Sequence, residues 1–210
     1  MTRDQALKLL HDHMTNPNLR KHCYAVEAVM GALYGRLEDG EKSDTEKNKW
    51  KIAGLLHDAD YEITKDKAKS EHTKQVLKWL KDLDVHSDIY DAVASHAWNF
   101  VDGAPEPSTK MGWALYTCDE LTGLIVAVAL VKPDKKLSSV DADSVLKKWR
   151  SSSFAAGVDR KQIELCEDRL GIPLREFIDI AISAMQSTYI QSRIATPPLF
   201  SSLKNTSLGV

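Results

Sequence analysis

The sequence predicts an all-α helical bundle, and three observations predict it. Apolar residues recur at three- and four-residue spacing along most of the chain, residues that favour helix starts precede those stripes, and no stretch alternates apolar and polar residues as a half-buried strand does. The first helix, Thr2 to about Met14, opens with Thr2 and Gln5 in capping-box spacing. The second follows Asn16-Pro17-Asn18 and runs to about Leu37, with Leu19, Val26 and Val29 on the stripe that also carries His22. Ser43 and Glu46 repeat the cap spacing before a third, whose apolar run Ile52-Ala53-Gly54-Leu55-Leu56 ends at His57. Helices are expected next over Ser70–Leu83, Ser87–Ala97 and Ser108–Val131, each with a serine at its start, and Pro133 stops the long one. A short helix near Ala142–Arg150 leads to the loop Ser151-Ser152-Ser153, and Asp159 with Gln162 caps another that ends at Gly171. Pro173 starts the last, which turns Leu174, Phe177, Ile178, Ile180, Ala181, Ala184 and Met185 inward. One domain over residues 1–190 is expected, then a Pro- and Ser-containing flexible tail over 191–210, beginning near Thr196-Pro197-Pro198.

Composition narrows the function. A chain of 210 residues with 43% hydrophobic and 28% charged residues buries a globular core. Its formal net charge of −2 excludes a general nucleic-acid binder, which needs a basic face to neutralise phosphates. Cys23, Cys118 and Cys166 are odd in number, lack CxxC spacing and fall in helical patterns, so they read as reduced core thiols of a cytoplasmic protein. The N-terminal residues begin a polar amphipathic helix, not a signal peptide. Met111–Val131 is long enough for a membrane span, but Asp119 and Glu120 at its centre predict a buried central helix.

The chemistry concentrates in a few residues. His57-Asp58 closes a core-facing apolar run, where an uncompensated carboxylate costs several kcal/mol or changes its protonation. A divalent cation is the partner that suits both side chains. His22 faces inward on its own stripe, and Asp119, with Leu115, Thr122 and Val126 on the same side of a nearly unbroken apolar stretch, also demands a cation. His72, above Val76 and Trp79, and His96, beside Ala92 and Val93, share this character. His11 and His13 point to different sides of one helix and cannot chelate together, and with His86 they read as surface residues.

The ordered set His22, His57-Asp58, Asp119 resembles the H…HD…D signature of the HD superfamily of metal-dependent phosphohydrolases. The stretches Leu55–Glu62, Cys118–Ala127 and Ser153–Arg160 also look like the small stand-alone HD-domain hydrolases of bacteria, and the resemblance covers roughly residues 3 to 190. It implies an HD-type helical bundle with a metal site in its core. It further implies that His22, His57, Asp58 and Asp119 hold one divalent ion, that Asp58 bridges, and that His72 and His96 hold a second. Mn, Fe, Co, Ni, Zn and Mg are not distinguished by such mixed donors. Two such ions facing two carboxylates leave the pocket positive, which favours an anionic substrate.

Asp60, Glu62 and Glu120, next to the ligands, are candidates to orient a ligand or activate water. The nucleotidase-like branch of the superfamily carries a catalytic glutamate soon after the HD pair, where this chain has Asp60-Tyr61-Glu62. Lys132, Lys136, Lys147, Lys148 and Arg160 are candidate phosphate contacts. The expected activity is hydrolysis of a small phosphorylated molecule or nucleotide, with no nucleic-acid polymer or membrane as partner and with a homo-oligomer left open. Two alternatives use the same residues: an HD-type diiron oxygenase cleaving a C–P or C–C bond, and a catalytically idle nucleotide- or metal-binding module.

Overall fold

The computed structural model describes residues 1–195, and its architecture follows from two long apolar helices that meet most of the others. In chain order the helices are α1 (Arg3–His13), α2 (Pro17–Leu37), α3 (Asp44–Leu56), α4 (Tyr61–Thr64), α5 (Ala68–Glu71), α6 (Lys74–Asp82), α7 (Ser87–Ser95), α8 (Lys110–Val131), α9 (Ala142–Trp149), α10 (Arg160–Leu170) and α11 (Leu174–Ala195). Short 3-10 turns cover Lys65–Lys67 and Leu137–Ser139, and no strand occurs among the described residues. The all-α expectation is thus met. α2 lies against α3, α8 and α11, and α8 lies against α2, α7 and α10. Met30, Leu33, Leu55, Leu56, Leu115, Leu121 and Phe177 fill the space between them, fully buried. α8 is the one described helix long and apolar enough to cross a membrane, and most of it is buried inside the bundle.

Caps set several helix ends. Thr2 accepts the Gln5 N–H and the Gln5 side chain returns the bond, Asn16 accepts from Asn18 and Leu19, and Ser43 accepts from Glu46. Asp159 starts α10, and Gly171, at φ 65°, ends it in the left-handed region. Glu27, buried on α2, pairs with Arg3 at 2.9 Å and with Lys51 at 3.4 Å, tying α1 and α3 to the central helix.

Some boundaries differ from expectation. The helix predicted over Ser70–Leu83 is broken at His72 and Thr73, with Thr73 at φ 69°, and Ser70 caps nothing because it lies inside α5. α7 is capped by the ring of His86, whose Nδ1 accepts the Asp88 N–H at 3.2 Å, and it stops at Ser95. Thr109, not Ser108, caps α8 through the Gly112 N–H at 3.0 Å. α11 continues to Ala195, five residues beyond the expected domain boundary at 190. The rest of the expected tail, 196–210, lies outside the described residues.

α3 and α2 approach closely at Gly54, where an added Cβ would meet Met30 Cγ and the Val26 carbonyl oxygen at 2.9 Å and the Glu27 backbone nitrogen at 3.0 Å. Two of those three atoms are backbone and cannot rotate away. Gly54→Ala should therefore lose about 1–3 kcal/mol through overpacking, less the roughly 1 kcal/mol that alanine gains in a helix. Chemical denaturation should show a lowered midpoint; a midpoint above that of the parent would contradict the close packing.

Candidate metal centre

Two helices end at the site, and their ends prepare it. His57 and His96 are the residues that follow the last turns of α3 and α7, where the final carbonyls of a helix lack partners along the chain. Each ring bonds back to such a carbonyl: His57 Nδ1 to Gly54 O at 2.8 Å, and His96 Nδ1 to Val93 O at 2.7 Å. A carbonyl only accepts, so both rings carry their proton on Nδ1 and present Nε2 as a lone pair. His72 Nδ1 is held by Asp60 Oδ1 at 3.0 Å. His22 Nδ1 meets Thr122 Oγ1 at 3.2 Å, and that hydroxyl gives its own hydrogen to the Asp119 carbonyl at 2.9 Å, so it accepts from His22.

All four Nε2 atoms therefore turn inward, and they meet in two pairs. His22 and His57 bring theirs to 3.1 Å, and so do His72 and His96. Facing lone pairs at that distance repel unless a cation sits between them. The two oxygens of Asp58 divide between the pairs: Oδ2 lies 3.6 Å from both His22 and His57, while Oδ1 lies 3.2 Å from His72 and 3.5 Å from His96. Asp119 Oδ1 completes the first group, 2.9 Å from His22 and 3.4 Å from His57.

Donor atoms so spaced match the separations of neighbouring ligands about 2.1 Å from one ion. His22, His57 and Asp119 can share an ion, as can His57, Asp58 and His96. The short contacts of His72 to His96 and Asp58 put it with that second group too. The donor set thus fits divalent cations, and the negative ends of the α3 and α7 dipoles favour them further.

The two groups differ in access. Side-chain exposure is 25% for His22, 21% for Asp119 and 14% for Asp58, against 4% for His72 and 3% for His96. The site opens at His22 and Asp119 and is closed at its far end.

Without a metal ion, protons supply the positive charge. Burial opposes the charge on His57, but Asp58 and Asp119 outweigh it and push the ring up to about 9. Burial likewise opposes His72, and its bonds to Asp58 and Asp60 push it up to about 10. Burial, together with the charges of its histidine neighbours, holds His96 below its ordinary value. Burial raises the two carboxylates, yet the charge of His57 and bonds from the surrounding rings hold Asp58 and Asp119 well below the usual range.

The other sequence candidates fall into different places. Asp60 is fully buried; besides His72 it accepts the N–H groups of Thr73 at 3.2 Å and of Gln75 and Val76 at 3.1 Å. It therefore positions His72 and caps α6, which is why the chain breaks at Thr73. Glu62, expected at the site, turns to the loop between α1 and α2 and binds Thr15 and Asn16 at 2.7–2.8 Å. Glu120 accepts the Asp159 N–H at 3.1 Å, and burial with the neighbouring charge of Asp119 pushes its carboxyl up to about 7.

No ion pair joins the cation candidates to the cluster among the described residues. Lys132 lies thirteen residues beyond Asp119 on the same helix axis, about 20 Å at 1.5 Å per residue, and Lys136 is exposed beyond it. Lys147 lines a surface hollow with Asp143, Leu146, Trp149 and Arg150, which shares no residue with the cluster. Lys148 sits over the Phe154 ring, 5.0 Å from its centre. Arg160 spends its guanidinium on the carbonyls of Ser151, Phe154 and Val158 and so clamps the 151–158 loop. His13 is stacked on Trp79 at 3.8 Å and His11 meets the Tyr24 hydroxyl at 2.5 Å; neither approaches the cluster. Thr122, which orients His22, showed in the sequence only as a neighbour three residues after Asp119.

Fold and site define an all-α protein with a buried His/Asp cluster fit for divalent metal. The family model for the HD domain matches residues 19–124, a span that takes in all six cluster residues, and the chain belongs to the HD domain family. Most members of that family are metal-dependent hydrolases. No curated protein matches the chain.

Asp60→Ala should leave three backbone N–H groups without their acceptor, at about 1–3 kcal/mol for each one that stays buried, and lower metal affinity about 10–100-fold. Denaturation and metal titration of the variant would show both losses; a variant that binds metal as tightly as the parent would refute the positioning role.

The raised histidines set a pH dependence. Their folded values exceed the ordinary 6.5, so their stabilising charge is fully present below that pH and is lost as pH climbs through about 9 to 10. Metal-free protein should melt at progressively lower temperature from pH 7 to pH 10. Metal-loaded protein should lose less, because the cation replaces protons. A melting-temperature gain from metal that stays constant across this range would contradict the exchange.

Proposed function

We propose that the protein is a cytoplasmic metal-dependent phosphohydrolase acting on a small phosphorylated molecule or nucleotide. One observation carries the reading: the two oxygens of a single carboxylate, Asp58, face two opposed pairs of imidazole Nε2 atoms, a donor arrangement for two divalent ions rather than one. His22, His57, Asp58 and Asp119 would hold the first, and His72, His96 and Asp58 the second. Ions there would supply Lewis acidity toward phosphoryl oxygens and lower the pKa of bound water from ~15.7 toward ~7.

The chain's own groups do the rest. Thr122, Gly54, Val93 and Asp60 fix the four rings so that no reorganisation is needed when substrate arrives. The open side at His22 and Asp119 admits the substrate. Glu120, the residue after Asp119 and held by the Asp159 N–H, is the candidate proton carrier. The cytoplasmic assignment is supported by Cys23, Cys118 and Cys166, all buried and unpaired.

A phosphatase assay with p-nitrophenyl phosphate and a panel of phosphorylated metabolites, run under Mn, Fe, Co, Ni, Zn and Mg, tests the proposal. Turnover should vanish with EDTA, return with metal, and fall at least about a hundredfold in Asp58→Ala. Turnover indifferent to EDTA, or retained by Asp58→Ala, would refute it. Metal-dependent oxygen consumption with a phosphonate or polyol, in place of phosphate release, would assign the same six residues to a diiron oxygenase. Metal binding without any turnover would assign them to a binding module.

A further inference from the structure

At the open side of the cluster a side chain is missing. Along α8, Leu121, Thr122, Leu124 and Ile125 face the core and are buried. Asp119, Glu120, Val126 and Ala127 face the other way and are half-buried, and Gly123 among them is exposed. At about 100° per residue, position 123 falls between Asp119 and Glu120 around the helix and about 6 Å beyond Asp119 along its axis. A helical side chain leans toward the N-terminus and covers the turn before its own Cα. Thr122 shows that lean, since its hydroxyl reaches back to the Asp119 carbonyl and to His22 Nδ1. A side chain at 123 would therefore cover the turn that carries Asp119 and Glu120.

The fold does not require glycine at this place. An added Cβ would meet no atom within 4 Å outside the local helix backbone, and the residue does not lie in the left-handed region that Gly40, Gly103 and Gly171 occupy. Gly54 differs, because Met30 and the α2 backbone leave no room for a side chain there. A glycine in the middle of a helix lowers stability relative to alanine, through the greater freedom of the unfolded chain. Packing does not compensate for that loss at 123. The absent side chain does leave the ligands accessible: Asp119, one turn back, keeps 21% of its side-chain surface exposed, and His22, 2.9 Å from it, keeps 25%. Beyond the glycine the helix is apolar, with Val126 and Ala127 one turn on and no charged residue between Glu120 and the end of α8 at Val131.

We infer that Gly123 is the specificity-determining threshold of the site, crossed by a slender, uncharged, apolar group attached to the substrate's anionic head. The head enters over Asp119 and His22. The group next to it passes close to the α8 backbone at Gly123 and lies on Val126 and Ala127, which removes apolar surface from water on both sides. Position 123 thus limits the width of what can enter. The anionic head rests on the phosphohydrolase reading; the threshold rests on α8 alone.

Methylphosphonate and n-butylphosphonate, whose C–P bonds resist hydrolysis, test the threshold when titrated into the full-length protein loaded with Mn. Calorimetry should show n-butylphosphonate bound about tenfold more tightly by the parent, as partial burial of its additional methylene groups predicts. Gly123→Ala should cut that preference to about threefold and Gly123→Leu should remove it, while methylphosphonate binds the alanine variant within about twofold of the parent. Metal-free Gly123→Ala should melt at a higher temperature than the parent, because a better helix former then fills open space, and its metal content should be unchanged. Equal affinity for the two probes in the parent, or a tenfold preference that survives both substitutions, overturns the threshold and leaves the phosphohydrolase reading in place. An alanine variant that melts lower or loses its metal shows that the fold needs this glycine, and overturns the threshold as well. Failure of the metal-loaded parent to bind either probe overturns the anion site and the threshold with it.

Discussion

Everything in this molecule is arranged around a repulsion. Four imidazole nitrogens converge on two carboxylates inside a helical bundle, with Nε2 atoms 3.1 Å apart within each pair. Such a cluster persists only with positive charge among its members, whether protons or divalent ions. Asp58 is the pivot, since its two oxygens are shared between both groups. The remaining structure can be understood as the means of holding these side chains in place while the charge between them changes.

Helix ends do much of that holding. A helix leaves its last carbonyls unpartnered and concentrates negative potential there, two features that a histidine just past the last turn exploits together. His57 on α3 and His96 on α7 repeat the same device, each bonding through Nδ1 to the carbonyl three residues before it. The tautomer that ligates a metal follows from the backbone without any additional side chain. His22 and His72 sit elsewhere and require Thr122 and Asp60. Asp60 serves two ends at once, because the carboxylate that fixes His72 also caps α6. Close packing at Gly54 belongs to the same scheme: the glycine that lets α3 approach α2 also supplies the carbonyl that orients His57.

What the sequence made legible was whatever local periodicity encodes. Apolar stripes located the helices, and His22, His57, Asp58 and Asp119 stood out because each interrupts a core-facing stripe with a group that needs a partner. The break at Thr73 was illegible, since the carboxylate that caps α6 comes from Asp60, thirteen residues before Thr73, while the Thr73 side chain itself makes no cap bond. The same limit applies to charge. Glu62 follows the HD pair as closely as a working acid would, yet the fold turns it to Thr15 and Asn16. Arg160 and the lysines looked like phosphate contacts because a sequence reveals that a side chain is charged but not what it is already bonded to. Where carbonyls consume a guanidinium, as in the 151–158 loop, only coordinates show it.

The two halves of the cluster are unequal in a way that divides their work. His72 and His96 are nearly closed off and held by a buried carboxylate and a helix-end carbonyl, so their surroundings change little when anything enters or leaves. His22 and Asp119 face the opening, and both answer to Thr122, whose hydroxyl accepts from the ring and donates to the backbone carbonyl of Asp119. Low dielectric around the closed half strengthens its attraction for a cation, while solvent at the open half weakens the equivalent attraction and leaves room for an exchangeable ligand. Asp58 spans the two environments and couples them: charge lost from one oxygen's neighbourhood is felt at once by the other. An ion in the closed half would chiefly hold Asp58 ionised and aimed, and under the proposed hydrolysis the open half, free of that structural duty, is where an incoming anion would be met.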